Sequence, residues 1–330
     1  MKEIKTLPAK ASPYAPPYTM TTEIVHLIAW ICEIVGLFTV TADVMVTPRL
    51  RRENRIRSIQ GSLAIEQNSL SLDQVKAVIQ GERVMGSPRE IQEVRNAFAA
   101  YEALPNWSPT EMTDLLAAHR LLMAGLVDEP GVFRHGGISV FKDQKAVHVA
   151  PPAQRVSKLM GDLLNWLKTT PEHSLIAGCI FHYELEFIHP FADGNGRMGR
   201  LWQTLILSRW QPWLAFIPVE SVIRERQVAY YQALRQSDKQ AEATHFIVFV
   251  LEALRDTLDQ FAGTDQVGDH VTDQVKSFLR VLSSSDMTLS EVMEKLSLVH
   301  RPSLRSNYVH PALKMGLVEM TQPDAPRSPT

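Results

Sequence analysis

The chain holds two cysteines in 330 residues, Cys32 and Cys179. Two thiols exclude a disulfide framework and a zinc knuckle, and they fit a reducing cytoplasm. No charge sign dominates: 34 Lys+Arg stand against 36 Asp+Glu, a net charge of −2. A wholesale polycation for nucleic acid is thereby excluded. Long apolar runs are missing too. The longest such region, 24–46, is broken by His26, Glu33 and Asp43, short of the roughly 18 uncharged residues of a membrane span. The first residues carry Pro8, Pro13, Pro16 and Pro17 instead of the apolar stretch and small-residue cleavage site of a signal peptide. The expectation is a soluble, cytoplasmic protein. A Walker P-loop is absent, and so is any repeat of 20–50 residues.

What is present is an ordinary globular composition, 45% hydrophobic and 21% charged. The length allows two domains, or one with accessories. Residues 1–20 read as an extended Pro-rich arm. From Thr21 the pattern is helical: Ile24, Leu27, Ile28, Ile31, Ile34 and Val35 recur near a 3.6 period. Further helices are predicted over 51–66, 72–80 behind a Ser71 cap, 88–101 behind Pro88, and from a Ser108–Glu111 capping box to Ala124. Two short apolar runs around Lys142-Asp143-Gln144-Lys145 predict a β-hairpin over 138–149. Helices are then expected over 152–168, 175–188, 201–210, 222–235 and 243–261. A boundary falls near 263–267. Three short helices (271–281, 290–296, 302–314) and a strand at 317–320 then outline a winged helix-turn-helix.

The chemistry concentrates in His189-Pro-Phe-Ala-Asp-Gly-Asn-Gly-Arg-Met-Gly-Arg200. An apolar helix ends at Ile188 and another begins within the run. Gly194 and Gly196 admit close backbone approach, and a helix N-terminus attracts anions. Arg197 and Arg200 stand one turn apart, so both guanidinium groups can face one phosphate chain. Asp193 is suited to hold Mg²⁺ against phosphate oxygens, and His189 to take a proton from a hydroxyl. Together they describe phosphoryl or nucleotidyl transfer from a nucleoside triphosphate.

This run resembles the Fic motif, His-x-Phe-x-(Asp/Glu)-Gly-Asn-Gly-Arg-x-x-Arg, at every fixed position. The resemblance implies a mainly α fold: a helical Fic core with a β-hairpin flap and a small C-terminal winged helix-turn-helix domain. It implies a protein adenylyltransferase that moves AMP from ATP, with Mg²⁺, to a Ser, Thr or Tyr hydroxyl of a target protein or of itself. His189 would be the general base and Asp193 the Mg²⁺ ligand. Gly194, Asn195 and Gly196 would form the anion hole. Arg197 would stabilise the departing pyrophosphate, and Arg200 would hold the γ-phosphate. Phe191 would brace the loop. Tyr230 and Tyr231 resemble a Tyr pair near the adenine site. In the flap, Val140, Val147 and His148 would meet a target strand, joined by backbone pairing.

Upstream, Ser62-Leu-Ala-Ile-Glu66-Gln-Asn68 resembles the family's inhibitory helix, (Ser/Thr)-x-x-x-Glu-(Gly/Asn). Ser62 and Glu66 share one helical face. By the resemblance Glu66 would occupy Arg200 and leave the α-phosphate of ATP misaligned. Gln67 departs from the pattern. The implied organisation is an arm (1–20), a helical region (21–110) with the inhibitory helix around 58–68, a Fic core (111–262; flap 138–149, motif 189–200) and a winged-helix-like tail (268–330). From His270 onward 7 Lys+Arg face 6 Asp+Glu, so the tail makes only a weak case for DNA binding. A nucleotide-sensing DNA-binding regulator, or an enzyme that removes AMP with Glu66, is the alternative. A homodimer is compatible with the family; a membrane partner is not expected.

Overall fold

The computed structural model describes residues 14–45, 48–137, 139–142, 145–263, 272–282, 287–314, 317, 318 and 320. Helices dominate it. Helix α1 (Thr22–Met45) is followed by α2 (Pro48–Ile65), α3 (Leu72–Ile79), α4 (Pro88–Ala103) and α5 (Met112–Leu122). Strands β1 (Ser139–Lys142) and β2 (Lys145–Val149) pair antiparallel, with Val140 opposite His148 and an irregularity between Val140 and Phe141. Then come α6 (Ala153–Thr169), α7 (Ser174–Ile188), α8 (Asn195–Trp210), α9 (Val219–Glu225), α10 (Gln227–Gln240) and α11 (Thr244–Gly263). The last part holds α12 (Asp273–Leu282), α13 (Leu289–Lys295) and α14 (Arg301–Leu304), then a π-helical turn, Arg305–Val309, that runs into α15 (His310–Lys314). No described helix is long and apolar enough to cross a membrane.

Local chemistry sets several of these boundaries. Ser71 with Gln74, Ser87 with Glu90 and Thr288 with Glu291 form reciprocal capping boxes. The Ser108–Glu111 box does not form. Asp114 accepts the Ser108 N–H at 2.8 Å, and the helix starts later, at Met112. The single helix expected over 222–235 is two, broken at Arg226. Leu317, Val318 and Met320 are not in a strand, so the strand expected at 317–320 is missing there; Glu319 lies outside the described residues. Also outside them are 1–13 of the arm, 264–267 of the expected boundary, and the side chains of Val140, Val147 and His148. From Tyr14 the arm is fastened to the body. Tyr14 donates to Glu184 at 2.7 Å, and Pro17 accepts the Ala243 N–H at 2.9 Å.

The core forms around the antiparallel pair α7 and α8. Nearly every side chain of α7 is buried, as its predominantly apolar character requires, and His182 and Glu184 are buried with the apolar ones. On α8, Met198, Leu201, Trp202 and Leu205 are buried against it. Helix α2 lies flush on α9. A Cβ at Gly61 would stand 2.8 Å from the Glu220 backbone, so only glycine allows this approach. That contact brings the C-terminal end of α2 to the loop between α7 and α8. A second, smaller apolar cluster, with Val275, Phe278, Leu279, Val292, Leu304 and Leu317, holds the C-terminal helices together.

Candidate active site

The loop 189–194 is locked from inside. Phe191 is fully buried and stacks on His119, ring centroids 3.7 Å apart. The Asn195 amide bonds both the N–H and the carbonyl of Phe191, each at 2.9 Å. Its side chain is therefore a loop brace, and only its backbone remains for an anion. His119 braces the other edge. Its Nδ1 accepts the Gly131 N–H at 2.8 Å, so Nε2 carries the proton and donates to the Asp193 carbonyl at 3.0 Å. Burial pushes this imidazole down to about 4, which keeps it neutral.

His189 caps α7 in the left-handed conformation, φ 49°. Its Nδ1 is 3.3 Å from the Glu186 carbonyl, which can only accept. In the neutral imidazole this places the proton on Nδ1 and the lone pair on Nε2. Gly194, φ 85°, is the N-cap of α8, whose first-turn N–H groups lack acceptors within the helix and are of the kind that can receive an anion. At Gly196 a Cβ would lie 2.4 Å from Glu66 Oε1, 3.1 Å from Arg200 Nη1 and 3.2 Å from Glu186 Oε1. The cradle is thus bounded by one guanidinium and two carboxylates.

Ser62, Glu66 and Arg200 do come together. Arg200, with its side chain 1% exposed, donates from Nη2 to Glu66 Oε1 at 2.8 Å and to the Ser62 carbonyl at 3.0 Å. Its Nε donates to Ser62 Oγ at 3.0 Å. Burial acts to push this guanidinium down, but the Glu66 carboxylate overrides it and the net direction is up. Glu66 is the C-cap in α2's closing motif: Gln67 N–H reaches the Ala64 carbonyl and Asn68 N–H the Leu63 carbonyl. This is a Schellman closure, with Gln67 in the left-handed position at φ 70°. Gly and Asn suit that position best, which gives the family's inhibitory pattern a backbone reason.

Arg197 and Asp193 belong to a ring of charges. Arg197 contacts Asp193 Oδ1 at 3.0 Å and Glu93 Oε1 at 3.4 Å; Arg89 contacts Asp193 Oδ2 at 3.0 Å and Glu93 Oε1 at 3.5 Å. Asn68 Nδ2 donates to Glu93 at 2.9 Å, tying the ring to the end of α2. Tyr230 is buried, with its hydroxyl 3.2 Å from Glu186 Oε1. Tyr231 is half-exposed, and burial together with Glu66 pushes its phenol up to about 12. A cavity of about 260 Å³ opens between Glu66, His189, Asp193, Gly196, Tyr231 and Arg235. Sequence reasoning missed Arg134, His119, Glu186, Arg89 and Glu93. No motif spacing flags them, because each also makes a contact distant in sequence, such as Arg89 with Asp193, His119 with Asp193 and Glu186 with Tyr230.

Two family models match the chain: Fic/DOC family over residues 109–207, and Filamentation induced by cAMP protein Fic-like, C-terminal domain, over 273–330. Protein adenylyltransferase Fic of Nematostella vectensis is 29% identical over 243 residues, 70% of this chain and 54% of its own. That of Aedes aegypti is 28% identical over 239 residues, 68% of this chain and 45% of its own. The chain thus spans about half the length of these curated relatives. Among solved structures, Fic-1 from C. elegans is 25% identical with a TM-score of 0.61, covering 74% of this chain and 72% of that one. A Fic family protein from Desulfovibrio desulfuricans G20 is 59% identical with a TM-score of 0.75, covering 96% of this chain and 97% of that one. At that identity over nearly the whole of both chains, this chain belongs to the Fic family.

Proposed function

We propose that the chain is an autoinhibited protein adenylyltransferase. The observation that carries this reading is the engagement of Arg200 by Glu66 beside the Gly196 cradle. The donor set fits a polyphosphate. Among the described residues Arg200 Nη1 and Arg197 Nε are buried without an acceptor, and such orphan donors suit phosphate oxygens. Mg²⁺ fits a sparse site of this kind. No cluster of three metal-ligating side chains exists among the described residues, and Mg²⁺ takes one or two carboxylates plus substrate phosphates. Asp193 would hold it, and the ion would neutralise phosphate charge.

His189 Nε2 takes the proton from the target hydroxyl as its oxygen bonds the α-phosphorus. The bond to the β-phosphate bridging oxygen breaks, and pyrophosphate leaves toward Arg197 and Arg200. The pair 139–149 serves as the flap, with its open edge receiving an extended target strand. Tyr231 and Tyr230 border the nucleoside end of the cavity. While Glu66 holds Arg200, a triphosphate lacks its γ-phosphate anchor, and its α-phosphate is out of line. Glu66 also lines the cavity that holds His189, which supports a second reading: AMP removal with Glu66 activating water.

The test is self-labelling with α-³²P-ATP against γ-³²P-ATP and Mg²⁺, comparing parent, Glu66→Gly and Glu66→Gly/His189→Ala. Label from the α-position only, strongest in Glu66→Gly and lost without His189, is expected. His189→Ala should leave ATP binding intact. Label from the γ-position would mean a kinase. A labelled target losing AMP faster with parent than with Glu66→Gly would favour removal.

A further inference from the structure

Arg134 lies between α5 and β1 and is 6% exposed. Its backbone N–H donates to the Pro190 carbonyl at 3.0 Å. Its guanidinium donates to four more carbonyls: His189 from Nε at 2.6 Å, Gly136 from Nη1 at 2.7 Å, and Pro151 at 2.6 Å and Ile188 at 3.2 Å from Nη2. Gly136 stands three residues before β1, and Pro151 two residues after β2. One planar cation therefore joins both feet of the hairpin to the turn that carries His189.

The chemistry of the contact is specific. Ile188 and His189 end α7, where carbonyls lack helical partners and a cation is favoured. His189 is a non-glycine residue at positive φ, a conformation that persists only where surroundings enforce it. The Nε–H···O bond to its carbonyl is such an enforcement. Burial pushes the Arg134 guanidinium down, but arginine stays charged, and its fork serves several acceptors in one plane. Lysine offers a point charge that cannot reach all four.

We infer that Arg134 is a positioning residue for transfer, holding the hairpin in register with His189 so that a hydroxyl on an added strand meets Nε2. The inference rests on the transferase reading above. Its consequence is sharp because about 1 Å of misplacement costs ~10²-fold in rate. None of these guanidinium hydrogen bonds goes to α8, where the proposed nucleotide cradle lies, so ATP binding should not feel the change.

The experiment uses the Glu66→Gly protein and its Arg134→Lys and Arg134→Gln derivatives. Expected for both is a fall of ~10–100-fold in self-labelling kcat with the KM for ATP within about two-fold of the Glu66→Gly protein. Hydrogen exchange should quicken at amides 139–149 and stay unchanged at 200–207. The His189 imidazole NMR signals should shift in Arg134→Lys. A folded Arg134→Lys that labels at the undiminished rate overturns the inference. So does a loss of kcat matched by a rise in KM for ATP, which would mean general damage. In Glu66→Gly itself, the Arg134 Nε–H should exchange slowly; rapid exchange overturns the clamp even if both derivatives fail to fold. If Glu66→Gly takes no label from α-³²P-ATP, the transferase reading fails, while exchange and imidazole signals still judge the clamp separately.

Discussion

Removing Glu66 should have opposite effects on stability and on activity. Arg200 is 1% exposed and meets the carboxylate at 2.8 Å. The Glu66 carboxylate is 32% exposed, so its removal costs less than the ~3–5 kcal/mol of a fully buried pair; the lost charge-assisted hydrogen bond sets the scale at ~1.5–3 kcal/mol. Glu66→Gly without nucleotide should therefore melt lower by ~3–6 °C, at ~2 °C per kcal/mol for a chain of this size. A γ-phosphate can replace the lost carboxylate at Arg200; ADP offers none. A charge-assisted hydrogen bond is worth ~1.5–3 kcal/mol, so ATP should bind Glu66→Gly at least ~10-fold more tightly than ADP does. In the parent the γ-phosphate must first displace Glu66, and the preference shrinks. Transfer should rise by ~10², the cost of a misplaced α-phosphate that is no longer incurred. Differential scanning fluorimetry with ATP and with ADP, each on both proteins, reads the first effect, and α-³²P self-labelling the second. Equal ATP-over-ADP stabilisation in parent and variant would refute the competition for Arg200, whatever happened to the rate.

Gln67→Gly should stabilise the closed end of α2 by ~1 kcal/mol, since Gln67 sits at φ 70°; labelling by the parent should fall further, and an increase would contradict the assignment. Gly196→Ala places a methyl 2.4 Å from Glu66 Oε1, so it should dislodge Glu66 yet fill the cradle; calorimetry should find ATP affinity reduced by ~10-fold or more, and unchanged affinity would show the cradle is elsewhere. His119 is held neutral, pushed by burial down to about 4 from 6.5. The unfolded chain binds that proton first, so stability is full above pH 6.5 and falls by ~3 kcal/mol as pH drops to 4. Urea unfolding across this window should be flatter in His119→Gln than in the parent, and parallel curves would refute it.

The sequence exposed the site better than the scaffold that positions it. His189 to Arg200 is one continuous segment, so glycines, base and arginines are legible together. Glu66 was legible through the resemblance of 62–68 to the family's inhibitory pattern, its four-residue spacing from Ser62 being only compatible with it. The break at Arg226 was not, since Arg224-Glu225-Arg226-Gln227 contains no glycine or proline. There Arg226 pairs with Asp256 on α11 and Arg224 donates to Gln60 on α2 at 2.9 Å, tertiary contacts that override a continuous helical pattern. Ser108 illustrates the reverse error. Its spacing to Glu111 fits a capping box, but the Asp114 carboxylate takes its N–H first. Arg134 looked like any arginine before a hairpin; its role lies in carbonyls up to 55 residues away.

The same contacts join the end of α2 and the motif into one electrostatic unit. Arg197 and Arg200 are buried, and buried cations require compensation. Without phosphate, α2 and α4 supply it: Glu66 for Arg200, and Glu93, with Asp193, for Arg197. Asn68 joins the two carboxylates' elements through its bond to Glu93. On the proposed reading a triphosphate brings its own negative charge and would compete with Glu66 for Arg200, while the Arg197 Nε, buried without an acceptor, could meet it with Glu93 still in place. Relief at Arg200 alone leaves Arg197 still bonded to Glu93. On that reading the end of α2 must yield at Arg200, and yielding of Glu93 on α4 would strengthen the hold on phosphate further, which gives residues outside the motif control over its charge.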